Sequence, residues 1–190
     1  SPSNVAQDLG RDGVSTGYCM DEDSAEALLA DLTTNNAKRL VNKLAQNDFL
    51  LDSAKAYLGA EPIIACIYLR DEQPSDQPPK WHFDVSGLRS VSVFLYLSPH
   101  TERDGGYHQC VPGSHRDPSP LTLFKRFLHG QNPASASILK VAGDVGTLFF
   151  EDTEVMHAKS AHSGIRKILQ IQYCIGKPIL GYLLDPPATI

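Results

Sequence analysis

Cysteine is scarce in this chain and carries no recognisable pattern. Its 190 residues hold four (Cys19, Cys66, Cys110 and Cys174), with no C-x-x-C pair among them. In a chain of this length such scatter argues against a disulfide framework or a zinc knuckle, and predicts reduced, mostly buried thiols in a cytoplasmic protein. Long apolar runs are missing as well. The longest is IIACIYL, 63–69, seven residues, against the roughly 20 that a membrane-crossing helix needs. The opening SPSNVAQDLG has no basic segment, no apolar stretch and no initiator Met, so no secretion signal is expected there. Basic charge is in deficit, 17 Lys and Arg against 22 Asp and Glu for a net charge of −5. With no surplus to displace counterions, neither nucleic acid nor membrane is an expected partner. Internal repeats and low-complexity segments are absent too.

What is present fits one soluble globular domain spanning 1–190. Hydrophobic residues make up 42% and charged residues 21%, too apolar for a disordered chain. At this length a chain buries about 70% of its unfolded surface, so one core needs no covalent or metal staple. The first part, about 1–60, reads as a helical preface. Asp21 and Ser24 offer caps ahead of Ala25, Leu28, Leu29 and Leu32 at helical spacing. A second helix carries Ala37, Leu40, Val41, Leu44 and Ala45 on one face, and a third, about 52–58, stops at Gly59. From about 61 to 180 the pattern changes to strands: IIACIYL, VSVFLYLS, ASILKV, GTLFF and KILQIQYCI, divided by Gly, Pro, Asp and Ser clusters. The fold class expected is mainly β with flanking helices, a barrel or double-sheet roll. Two excursions interrupt it, the Pro-rich 74–79 and the segment 118–133, where Leu121, Phe124, Phe127 and Leu128 suggest a short helix. Both are candidates for a mobile rim.

The sharpest local feature is WHFD, 81–84. On an extended chain His82 and Asp84 share one face, and Trp81 and Phe83 the other, where they can pack against a helix layer. An imidazole and a carboxylate side by side make two ligands for a mid-series metal. The stretch 143–173 supplies a third donor, His157 or His162, and then Arg166 on RKILQIQY. Two His and one carboxylate form the facial triad of non-haem Fe(II) oxygenases, which leaves coordination positions open. Arg166 lies nine residues after His157 but only four after His162. The shorter span barely allows the turn needed to put ligand and arginine on neighbouring strands, which favours His157. Gln170 and Gln172 share a face with Arg166 by period two, and two interior amides suggest a polar, substrate-lining wall. In GGYHQCVPGSHR, 105–116, Gly105 and Gly106 suit a turn or a close backbone approach, and His115 reads as a turn residue. His100, His108 and His129 have no motif around them and are read as surface or substrate-mouth residues.

These motifs, in this order, resemble the phytanoyl-CoA dioxygenase family of Fe(II)- and 2-oxoglutarate-dependent oxygenases. WHFD looks like that family's W-H-x-D, followed by PGSHR. GDVGTLFFEDT, a histidine and then an arginine before LQIQY look like its C-terminal half, and DGV…GYCMDEDSAEALLADL, 12–32, resembles its opening. The resemblance implies a double-stranded β-helix (jelly-roll, cupin-like) core about 61–180, with Fe(II) held by His82, Asp84 and His157. It implies 2-oxoglutarate as cosubstrate, its far carboxylate gripped by Arg166, and dioxygen as co-reactant. Tyr96 and Ser160 are further cosubstrate-binding candidates. Relatives often read H-G-S or H-K-G after the distal His where this chain reads His157-Ala158-Lys159-Ser160, and they carry an acidic residue where Pro99 and His100 stand. The activity implied is hydroxylation of a small molecule with release of succinate and CO2, or another oxidation of the same class, rather than halogenation, since related halogenases lack a carboxylate where this chain has Asp84. A cupin-like metal enzyme without 2-oxoglutarate, or a non-catalytic binding domain of the same fold, would not need the complete set. Family does not fix the substrate, and the oligomeric state stays open.

Overall fold

Two-residue alternation of apolar and polar side chains decides how this chain folds. The computed structural model describes residues 1–32, 37–84, 89–116, 133 and 137–176. In order they form α1 (Pro2–Asp12), β1 (Val14–Cys19), α2 (Glu22–Leu32), α3 (Ala37–Ala45), α4 (Asp48–Leu58), β2 (Ile63–Glu72), β3 (Ser90–Tyr96), β4 (His108–Cys110), β5 (Leu139–Val141), β6 (Thr147–Asp152), β7 (His157–Lys159) and β8 (Arg166–Cys174). A single 3₁₀ turn, Ser114–Arg116, carries His115 in the expected turn position. A five-stranded sheet in the order β1-β6-β3-β8-β2 accompanies a three-stranded one, β5-β4-β7. Every pairing is antiparallel. The mainly-β, jelly-roll expectation holds.

One face of the large sheet is apolar. Val91, Val93 and Leu95 of β3 join Leu148 and Phe150 of β6 and Leu169, Ile171 and Tyr173 of β8 under the helices, against Val5, Leu9, Leu50, Ala54 and Leu58. Each such side chain, once buried, contributes about 1.5–3 kcal/mol. A smaller cluster, including Phe94, Tyr96, Phe149 and Ile168 from the large sheet and Cys110 and Val141 from the small one, fills part of the space between the sheets. Arg70 and Glu72 of β2 and Arg166 and Gln170 of β8 line a cavity beside it.

The caps behave as their chemistry requires. Asp21 accepts from the Ser24 N–H at 2.8 Å, and Asn47 accepts from the N–H groups of Phe49 and Leu50. With Asn47 as cap, α4 begins at Asp48, four residues ahead of the expected start. Helix α1 and strand β1 were not expected. The buried apolar stripe of α1 is only Val5 and Leu9, too sparse for a period to register. Trp81 and Phe83 are buried. All four cysteines are unpaired, with Cys110 and Cys174 buried and Cys19 exposed. The helix expected within 118–133 and His129 fall outside the described residues. Among the described residues no helix is long and apolar enough to cross a membrane.

Candidate functional site

His82 and His157 meet through backbone pairing. The N–H of His82 donates to the carbonyl of His157 at 3.0 Å and the N–H of His157 returns the bond at 2.9 Å. WHFD is therefore not a full strand; His82 bridges onto the start of β7. Two residues on, the Asp84 N–H donates to Thr153 O, which turns the carboxylate back towards both rings. One donor atom from each of His82, Asp84 and His157 lies within 4.8 Å of the others. Asp84 Oδ1 stands 3.6 Å from His82 Nε2 and 3.8 Å from His157 Nε2.

The protons on these rings follow from their partners. Nδ1 of His82 faces Lys80 O at 2.8 Å, and Nδ1 of His157 faces Val155 O at 2.9 Å. A carbonyl only accepts, so in each neutral ring Nδ1 donates and Nε2 keeps its lone pair. Two lone pairs and a carboxylate oxygen converging on one point repel one another unless a cation sits between them. This donor set fits a divalent metal, with ring orientation fixed by the backbone in the way metal-binding histidines usually are.

These residues line one wall of a cavity of about 320 Å³ that also reaches Phe94, Glu72 and Arg166. Arg166 opens β8, opposite Glu72 at the end of β2, and is 5% exposed. Its Nε donates to Gly106 O at 2.7 Å and its Nη1 to Glu72 Oε2 at 3.3 Å. The same carboxylate oxygen accepts from Lys159 Nζ at 2.6 Å. Partial burial alone would raise the Glu72 carboxyl, but the Lys159 hydrogen bond and the charges of Arg166, Lys159 and Arg70 outweigh it and hold it below its ordinary value. Burial pushes the Arg166 guanidinium down, against the pull of Glu72. Gly106 carries φ of +75°, and a Cβ there would press on His100, His162 and Arg166. At Gly105 a Cβ would stand 2.0 Å from Ala161 O. The expected close approach is thus what lets this loop reach the arginine.

Behind the rings lies a pair that the sequence reading missed. His108 Nε2 and Glu151 Oε2 are 2.6 Å apart and both residues are buried, with Glu151 Oε1 3.4 Å from His157 Nδ1. Burial drives the Glu151 carboxyl up and the His108 imidazole down. Both shifts favour a neutral pair in which the Glu151 O–H donates to His108. A signal was available: in TLFFED, period two places Glu151 on the interior face with Phe149.

The remaining expected residues lie in varied places. Tyr96 is not among the cavity-lining residues: its hydroxyl donates to Val141 O at 2.6 Å and accepts from the His108 N–H at 2.9 Å, tying the two sheets together. Gln172 also stands outside the cavity, between Ser90 Oγ and Cys66 Sγ, whereas Gln170 lines it. Ser160 lines it too, and its buried hydroxyl has no hydrogen-bond partner among the described residues. His100 and His108 are buried rather than at the surface, and His108 lines the cavity. His162 belongs to a separate turn, its Nδ1 bonded to Gly164 O, which leaves the place beside Asp84 to His157. Of the 74–79 loop, Ser75, Gln77 and Pro78 form part of the cavity wall.

No protein-family model and no curated protein sequence matches this chain. Solved structures do match in shape. SnoN, a non-haem alpha-ketoglutarate-dependent epimerase from nogalamycin biosynthesis, superposes in its complex with Fe3+, alpha-ketoglutarate and nogalamycin RO. The TM-score is 0.76 at 17% identity, over 100% of this chain and 91% of that one. EctD from S. alaskensis with 2-oxoglutarate and 5-hydroxyectoine gives 0.73 at 20% identity, over 98% of this chain and 83% of that one. EctD with bound Fe gives 0.68 at 21% identity, over 94% and 80%. At such identities the likeness establishes the fold: this chain is built as a jelly roll of the kind found in SnoN and EctD.

Proposed function

We propose that this protein is an Fe(II)- and 2-oxoglutarate-dependent dioxygenase that hydroxylates a small molecule and releases succinate and CO2. The observation that carries this reading is one cavity holding both a facial set of two imidazoles and a carboxylate and, farther in, a buried arginine. The resemblance of WHFD and of 143–173 to the phytanoyl-CoA dioxygenase family supports it, as do the bound groups of SnoN and EctD.

Bound iron with 2-oxoglutarate and dioxygen would supply the oxidising chemistry, and the protein supplies position and exclusion of water. His82, Asp84 and His157 would hold the metal, their donor atoms converging at the cavity wall. Arg166, anchored through Nε to Gly106 O, turns its remaining nitrogens to the far carboxylate of the cosubstrate and neutralises it where water is sparse. Glu72 holds that place in the free protein, and Lys159 retains Glu72 once the arginine is taken. With Asp84 present as a carboxylate donor, the residues would suit hydroxylation rather than halogenation. Ser160 offers the cavity its uncommitted hydroxyl.

Succinate release tests the reading. Protein given Fe(II), 2-oxoglutarate and air is expected to form succinate slowly without substrate, and Asp84→Ala is expected to stop it. Succinate formation that is unaffected by that substitution would overturn the assignment.

A further inference from the structure

Charge around the cavity is unbalanced. Among the described residues lining it, Arg70, Lys80, Lys159 and Arg166 are cationic and only Glu72 and Asp84 are anionic. Adding a divalent metal and a dianionic cosubstrate leaves that surplus as it was. Glu72 engages Lys159 and Arg166; no ion pair among the described residues engages Arg70 or Lys80. Two cations therefore face the cavity beyond what metal and cosubstrate need.

Arg70 is also held in place. It pairs with Ile168 of β8, an inward position, on the edge strand of the large sheet. Its Nη2 and Nε donate to Gln170 Oε1 at 3.1 and 3.4 Å. Gln170 is 3% exposed, and its Nε2 donates to Ser92 Oγ at 3.1 Å, so the amide cannot turn without losing a buried bond. The Arg70 carbon lies 5.4 Å from the Tyr68 ring centre. The Ser92–Gln170–Arg70 chain gives the buried glutamine of β8 a purpose. It fixes a guanidinium at the cavity that has no carboxylate within ion-pair distance among the described residues, although its charge is felt by Glu72. A fixed planar fork is the donor best suited to a carboxylate or phosphate.

We propose that the substrate is an anion whose carboxylate or phosphate group docks on Arg70, with Lys80 as the second cation. The oxygenase reading gives that docking its consequence, while anion binding has its own readout. Protein loaded anaerobically with Fe(II) and saturating 2-oxoglutarate is titrated calorimetrically with benzoate, phenyl phosphate and neutral benzamide. The cosubstrate's charge-transfer band is followed in parallel. At least one anion should bind, at least about tenfold tighter than benzamide, and Arg70→Gln should remove about tenfold of that affinity. Arg70→Lys should restore part of it, and the 2-oxoglutarate dissociation constant should stay within about twofold. Whether benzoate or phenyl phosphate binds more tightly identifies which group the site takes. Benzamide binding as well as the anions, no anion binding, or anion affinity indifferent to Arg70→Gln would overturn the proposal. So would loss of the charge-transfer band in that variant, because Arg70 would then serve the cosubstrate. Absence of the band in the unaltered protein defeats the oxygenase reading instead, and the heats still decide the anion site.

Discussion

The two ends of the cavity are built on different principles. At the end proposed to hold the metal, His82 and His157 are aimed by neutral bonds to the carbonyls of Lys80 and Val155, and by a backbone bridge between the segments that carry them. At the other end, Arg166 is anchored by one backbone carbonyl and otherwise meets charge: Glu72, itself shared with Lys159. A ligand set must hold its geometry before the metal arrives, and backbone bonds do that without competing for it. A carboxylate site must stay paired while empty yet yield to a cosubstrate, and an exchangeable ion pair does that.

If this contrast is right, damage to one end should spare the other. The largest effect is expected at the metal end. Asp84→Ala and His157→Ala should weaken iron binding by more than about 100-fold, since loss of even an outer partner costs about 10–100-fold. Substrate-coupled turnover should vanish, as read by iron titration and succinate release. Next, Arg166→Gln should weaken 2-oxoglutarate binding by about 30-fold or more while leaving iron affinity unchanged, because a buried charge pair that loses one member forfeits about 2–5 kcal/mol. Equal loss of iron affinity would show that the two ends are not separable.

A smaller effect concerns acid. His100 lies 1% exposed beside Gly106, and burial, with some help from the Arg166 charge, lowers its imidazole from 6.5 to about 4. The unfolded chain therefore binds the extra proton between those values. This share of stability is complete above pH 6.5 and lost as pH falls towards 4. Urea midpoints should fall by the equivalent of about 1 kcal/mol between pH 7 and 5.5 on this account, and His100→Gln should flatten that slope. The smallest effect sharpens the contrast most. Glu72→Gln removes the competitor for Arg166 and should tighten 2-oxoglutarate binding by about threefold, the worth of a partly exposed ion pair. Weaker binding would mean that Glu72 positions the arginine rather than keeping its place.

The metal end was the more legible of the two in the sequence. WHFD carries its own alternation, and the spacing to Arg166 separated His157 from His162. Long strands with branched and aromatic residues, such as β3 and β8, declared themselves by composition. Three-residue strands such as β4 and β7 are too short for any period to register. The charged end stayed hidden for a related reason. Arg70 and Glu72 close β2, where charges read as a solvated strand end, and Lys159 sits in a tripeptide strand. Only the pairing of Glu72 with Arg166 across the sheet turns them inward. Tyr96 and Gln172 had the right parity for the interior but the wrong depth, because period two reports a face and not which groups on it are already bonded.

The most direct test of the account is an anaerobic titration of the metal-free protein with Fe(II) and then 2-oxoglutarate, read by the visible charge-transfer band. The account predicts a band that needs both additions, with the same iron requirement but far more cosubstrate in Arg166→Gln. Iron binding with no band, or a band indifferent to Arg166, would contradict it.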